Sequence, residues 1–188
     1  MRWIAYSMFV VGLAVTLPLV YAGESKLEPG FTSLFNGKDL TGWQTQPKKD
    51  KKGEATKAES LEGKTEAYKG KFKVAGGLLA WDAGNAYIDT VQKFGKDVHF
   101  KFDFRPGPKC NNDILFRGTK FDIVPGNKEN PNVKEGEWYT FELIATGDQI
   151  EHKINGVTAR KTKAAAKESS ITLRAEIGKM DVKNIRVK

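Results

Sequence analysis

The chain has 188 residues, 31 Lys and Arg against 23 Asp and Glu, and a formal charge of +8; this is one domain's worth of chain, long enough to bury a sizeable core. A single cysteine, Cys110, excludes an internal disulfide, and with only His99 and His152 the ligands argue against a closed zinc site. A Gly-rich phosphate loop, a paired-histidine metal motif and a Gly-x-Ser-x-Gly elbow are all missing from the sequence.

The first predicted element is a targeting segment. Residues 1–22 carry one charge, Arg2, then a mostly apolar run from Trp3 to Tyr21 that ends in Val20-Tyr21-Ala22. This predicts a cleaved signal peptide over 1–22 and a chain exported to the periplasm or secreted from a bacterial envelope, without membrane association after cleavage. A retained anchor is the alternative, since the run is near bilayer-spanning length; Pro18 and the small-residue site favour cleavage. Cleavage removes Arg2 and lowers the charge to +7.

A single domain is expected over 27–188. "FTSLFNGKDLTGW" (31–43) reads as a short strand, a turn at Asn36-Gly37 and an anchoring Trp43, with Phe31 and Phe35 packed inward or against the closing strand. Residues 44–71 then hold eight Lys, five acidic residues and almost no large apolar side chains, the composition of a solvated, mobile lysine-rich loop. Arginine interleaved with aromatics, which base stacking would favour, is absent there, so nucleic acid is not an expected partner.

Beyond that loop the period is two. "FKVAGGLLAW" predicts a hairpin at Gly76-Gly77, and "DVHFKFDFR" puts Val98, Phe100, Phe102 and Phe104 on one face and His99, Lys101, Asp103 and Arg105 on the other. "AYIDT" (86–90), "DILFRG" (113–118), "KFDIV" (120–124), "WYTFELIAT" (138–146), "QIEHKI" (149–154), "VTARK" (157–161), "SITLRA" (170–175) and "MDVKNIRVK" (180–188) also fit strands. Gly147-Asp148 and Asn155-Gly156 fall where hairpins need positive φ. The one helical candidate is the short "KTKAAAKES" (161–169). Many short strands without alternating helices predict an all-β, two-sheet antiparallel sandwich.

Polar residues on outward strand faces are the material for a site. Asp103 and Arg105 leave one face of one strand. Asp113, Leu115 and Arg117 point away from the core if Ile114 and Phe116 point into it, Asp122 follows, and Arg174 and Glu176 share a face. Carboxylates and guanidinium groups on a concave sheet suit a polyhydroxylated ligand; the same pattern also fits cross-strand ion pairs on a solvated surface. His152 shares the face of Ile150 and Ile154, as a half-buried histidine or as a proton-transfer group. No acidic loop has calcium-site spacing, and no metal or cofactor is expected.

Taken together, "FTSLFNGKDLTGW", "FKVAGGLLAW" leading to "AYIDT", "DVHFKFDFR", "NNDILFRG", "GEWYTFELIATGDQIEHKINGV" and "VKNIRVK" resemble, in order and spacing, the bacterial 3-keto-disaccharide hydrolase domain family. The resemblance implies a jelly-roll sandwich of the concanavalin A-like lectin/glucanase type. It also implies cleavage of the glycosidic bond of a 3-keto-glucoside or 3-keto-disaccharide by elimination and hydration. An exported carbohydrate-active hydrolase or lyase with an oxidised sugar as partner is therefore expected, and a non-catalytic carbohydrate-binding or surface-interaction module is the alternative. The positions matching the family are Asp103, Arg105, Asn111, Arg117, Asp122 and His152. By resemblance, Arg117 would contact sugar or enolate oxygens, Asp122 or His152 would transfer the proton, and Asp103 with Arg105 would orient that pair. Asn111, Arg174 and Glu176 complete the expected substrate-binding set. The chain departs from the family at Asn112-Asp113, Asp122, Val124, Lys153 and around "LRAEIGK".

Overall fold

A computed structural model describes residues 27–47, 53–95 and 97–188; the expected signal peptide lies outside them. The described residues form fourteen strands and no α-helix, all paired antiparallel in two sheets that face each other as a sandwich.

The larger sheet runs in the order β12 (Val157–Lys163), β11 (Gln149–Ile154), β10 (Tyr139–Thr146), β7 (Val98–Pro106), β14 (Met180–Val187), β5 (Leu78–Trp81), β4 (Phe72–Ala75), β3 (Glu66–Ala67), with β1 (Thr32–Ser33) also paired to β14. The smaller runs β2 (Trp43–Thr45), β6 (Ala86–Thr90), β13 (Thr172–Ile177), β8 (Asn111–Phe116), β9 (Thr119–Ile123).

Strand β7 shows why these residues form sheet. Its alternation of phenylalanine with polar residues becomes a strict alternation of buried and half-buried positions over all nine residues. The buried rings meet those of the neighbouring strand and of the opposite sheet: Phe102 lies 5.0 Å from Phe141 on β10, and Phe141 lies 5.3 Å from Phe121 on β9. Each fully buried ring contributes about 2 kcal/mol of transfer free energy. The opening motif closes one end: Trp43 is fully buried and its indole N–H donates to the Leu34 carbonyl at 2.9 Å, while Phe31 lies under Arg186 of β14.

The hairpin turns follow the sequence. Gly76 and Gly77 (φ 57° and 78°) and Asn155 and Gly156 (φ 49° and 78°) both place two positive-φ residues between paired strands, as a type I′ turn needs.

Two expectations change. The helix expected at 161–169 is absent: Lys161–Lys163 extend β12 against Gln149–Glu151, and the amides of Ala165 and Ala166 donate to the Arg117 carbonyl at 2.9 and 3.1 Å. Tertiary hydrogen bonds outcompete a helix too short to nucleate alone. The lysine-rich segment also carries structure in its described part. It contains β3 and a buried Leu61; a backbone bond from Thr45 to Glu59 closes it on itself, and bonds from Leu61 to Trp43 and from Leu40 to Lys64 tie it to the opening motif. A few small apolar residues, Leu61 and Ala67, are enough to dock it on the sandwich edge.

Candidate functional site

The outward face of the smaller sheet carries one row of side chains in register across four strands. Tyr87 on β6 opposes Arg174 on β13, Arg174 opposes Asp113 on β8, and Asp113 opposes Asp122 on β9. Alternation does the positioning: Ile88, Leu173, Ile114, Phe121 and Ile123 fill the core, so their neighbours in sequence point out. A register shift in β13 between Arg174 and Ile177 keeps Glu176 near the row, and the side-chain Oδ1 of Asn112 fixes it by accepting from the Glu176 backbone amide at 2.9 Å.

The row is electrostatically dense. Arg174 Nη1 donates to Asp113 Oδ2 at 2.6 Å, its Nη2 lies 2.7 Å from Glu176 Oε1, and its guanidinium covers the Tyr87 ring at 5.3 Å. Lys120, two residues before Asp122 on β9, places Nζ 2.5 Å from Asp122 Oδ1 and 3.8 Å from Asp113 Oδ1. Asp113 is fully buried, and its Oδ1 receives no hydrogen bond. Burial, then the facing Asp122, push its carboxyl up to about 7, against the Arg174 contact. Asp122 moves the other way: burial raises it, but the bond to Asp113 and the Lys120 ammonium outweigh that and hold it below the usual carboxylate range. Alongside the row, Asp89 is raised by burial and accepts from the Thr172 hydroxyl at 2.6 Å.

The structure brings Asp122, Arg174 and Glu176 together with Asp113 and Lys120. Asn111 lies on β8 two residues before Asp113, and its side-chain oxygen is buried without a donor. The other expected site residues are elsewhere. Asp103 and Arg105 are on the outward face of the larger sheet, across the whole core: Asp103 accepts from Thr140 and Asn184 at 2.9 and 2.6 Å, and Arg105 pairs with Asp181 at 2.8 Å and covers Trp138.

His152 is sealed between the sheets, stacked on Phe121 at 4.7 Å with neither ring nitrogen hydrogen-bonded in good geometry. Phe121 and Asp122 leave β9 on opposite faces, so His152 lies beneath the sheet whose outer face carries Asp122. Burial, then the nearby Arg160, lower its pKa to about 3, which keeps the ring neutral.

Arg117 departs from strand alternation because it starts the β8–β9 turn at φ 48°, followed by Gly118 at φ 77°. Its buried guanidinium donates from Nε to the Ala166 carbonyl at 2.7 Å and from Nη1 to the carbonyls of Gly147 and Gly95 at 2.7 and 3.3 Å. It ties three loops together, away from the row.

Lys120 and Asp113 were missed as site members by sequence reasoning. For both the signal was present: Lys120 alternates with Asp122, and Asp113 points outward whenever Ile114 points in. Asp113, Asp122 and Glu176 each bring one carboxylate oxygen within 4.8 Å of the others. Arg174 and Lys120 already supply positive charge to these oxygens, so a metal ion there would have to displace Lys120.

The family model of the 3-keto-alpha-glucoside-1,2-lyase-like domain matches residues 30–129 and 122–188. Among solved structures, a candidate glycosyl hydrolase of Parabacteroides distasonis superposes with a TM-score of 0.62 at 17% identity, over 85% of this chain and 93% of that one. A second candidate glycosyl hydrolase of that organism gives 0.61 at 12% identity, over 84% and 98%. An alginate lyase of polysaccharide lyase family 7 gives 0.51 at 12% identity, over 79% and 94%. At such identities the likeness is one of fold. No curated protein matches the sequence.

Proposed function

Because the chain belongs to the 3-keto-alpha-glucoside-1,2-lyase-like domain family, we propose that it cleaves the glycosidic bond of sugars carrying a ketone at carbon 3, on the outward face of the smaller sheet. The observation that carries this reading is the in-register row Arg174, Asp113, Asp122 with Lys120 beside it.

A carbon 3 ketone acidifies the hydrogen on carbon 2. A base removes that proton, the C–H electron pair becomes an enolate, and its collapse forms the carbon 1–carbon 2 double bond while the glycosidic oxygen leaves with the C–O pair. Water then adds to the enone, giving net hydrolysis. The half-exposed, ionised Asp122 is suited to act as the base, and Lys120 and Arg174 supply positive charge for the enolate oxygen. Tyr87 offers a ring and a hydroxyl to the sugar. None of this requires the paired-carboxylate spacing of ordinary glycosidases. The apolar run of residues 3–21 supports placing the activity outside the cytoplasm.

One observation favours a second reading, a sugar-binding module without turnover: Asp113 and Asp122 already have cationic partners at 2.6 and 2.5 Å. Incubating the purified domain with 3-keto-trehalose or a 3-keto-glucoside, while following 3-keto-glucose and the enone chromophore, separates the two. Product release is expected; saturable sugar binding without product would replace the enzyme reading by the module.

A further inference from the structure

We propose that Asp113 and Asp122 form a carboxyl–carboxylate pair that holds one proton between them, with Asp113 as the buried positioning residue that keeps Asp122 oriented and ionised. The role in catalysis rests on the lyase reading above; the proton sharing does not.

The geometry starts from register. Asp113 and Asp122 are direct partners on β8 and β9, with side chains on the same face and carboxylate oxygens within 4.8 Å. Directly opposed like charges on neighbouring strands destabilise a sheet, so the pairing needs compensation. The two oxygens of Asp113 are not equivalent. Oδ2 is taken by Arg174, whereas Oδ1 is buried, receives no hydrogen bond and lies 3.8 Å from Lys120 Nζ, the ammonium that pairs with Asp122. A buried carboxylate oxygen without a donor is costly. A proton on one of the two acids turns the repulsive contact into an O–H···O bond and removes that cost.

The groups around the pair favour one proton rather than two or none. Arg174 and Glu176 approach from β13 and Lys120 from β9, while Tyr87 on β6 lies under Arg174 and Arg160 on β12 acts on Asp122. Arg160 is itself paired with Glu129 at 3.4 Å, so Lys120 and Arg174 are left to balance one carboxylate of the pair and Glu176, and the second charge of the pair is the uncompensated one. Asp122 has the Lys120 ammonium and the greater exposure, so it keeps the charge; Asp113, fully buried, keeps the proton. The raised pKa of Asp113 and the lowered pKa of Asp122 agree in direction with this division.

In the proposed reaction, the charge on Asp122 accepts the carbon 2 proton while Asp113 stays protonated beneath it. Ionisation of Asp113 would add a second negative charge behind the forming enolate and slow its formation.

The test is a carbon-13 NMR titration of the aspartate carboxyl groups from pH 4 to 9 in the wild-type domain, Asp113→Asn and Asp122→Asn. One wild-type carboxyl should titrate near 7. That transition should vanish in Asp113→Asn and move down toward the ordinary carboxylate range in Asp122→Asn. A wild-type spectrum in which every aspartate has finished ionising by pH 5.5 overturns the proposal without any variant needing to fold. So does an Asp113 transition unmoved by Asp122→Asn. With a 3-keto-glucoside, wild-type kcat/KM should decline above the Asp113 midpoint, and the pH profile of Asp113→Asn should lack that alkaline decline. A positive titration with no cleavage by the wild type keeps the shared proton and removes the lyase reading; cleavage without the titration does the reverse.

Discussion

Arg174 on β13 and Asp113 on β8 are register partners joined by a 2.6 Å contact, with the aspartate fully buried and the arginine mostly so. Removing the cation leaves a buried carboxylate whose remaining remedy is protonation. Arg174→Met should therefore cost about 3 kcal/mol at pH 8, and much less at pH 5, where Asp113 stays protonated. Urea denaturation at the two pH values measures this; equal losses at both would show that Asp113 is not the group left exposed to the change.

Arg117 is expected to be structural. Arg117→Ala strands the carbonyls of Ala166, Gly147 and Gly95 that its guanidinium now satisfies. A loss of about 2 to 4 kcal/mol is expected, with the cleavage rate per folded molecule kept within about threefold. Chemical denaturation paired with rate measurements on the folded fraction decides it. A large loss of rate at unchanged stability would return Arg117 to the catalytic set that its family position suggests.

His152 should make the fold acid-sensitive. Its pKa is about 3 in the folded protein against an ordinary 6.5. Between these values the unfolded chain binds a proton that the folded one does not, so stability is lost as pH falls from 6.5 toward 3, by up to roughly 5 kcal/mol. Asp113 has the opposite sign: with its folded value raised from 3.8 to about 7, its contribution falls as pH rises across that window. His152→Leu removes only the first effect. Its stability should match the wild type within about 1.5 kcal/mol at pH 7 and exceed it at pH 4, by urea titration. A parallel fall in both proteins would refute the assignment.

The two outward faces of the sandwich should separate by activity. Asp122→Asn removes the proposed base and should lower kcat by about a hundredfold or more. Arg105→Ala, on the larger sheet, should leave kcat and KM within about twofold. Steady-state kinetics on one 3-keto-glucoside measures both; the reverse ranking would move the site to the face carrying Asp103, Arg105 and Trp138.

The sandwich was largely legible because burial imposes period two on every strand that packs on one side. "AYIDT" became β6 and "QIEHKI" became β11 with their expected spans, and "DVHFKFDFR" became β7 shifted by one residue, to Val98–Pro106. The site was legible only by halves. Alternation says which side of its own strand a residue leaves from, and so put Asp103 and Asp122 alike on outward faces. It does not say which of the two sheets a strand joins, and β7 and β9 joined different ones. Arg117 escaped because β8 ends at Phe116, two residues before the end of "DILFRG", which swings the Arg117 side chain out of the strand pattern. The alanines of 164–166 escaped because local propensity for helix is weak beside hydrogen bonds to Arg117.

Strand β14 sits in the interior of the larger sheet, between β7 and β5, and also pairs with β1. During synthesis β7 and β5 therefore each keep one edge open until the strand that follows all the others is made. Such late, long-range closure slows folding and lengthens the time in which bare strand edges can pair with another chain. A sandwich that lacks its central strand until synthesis is nearly finished is slow to fold prematurely. The order of the strands thus makes nascent chains of this protein candidates for holdase protection.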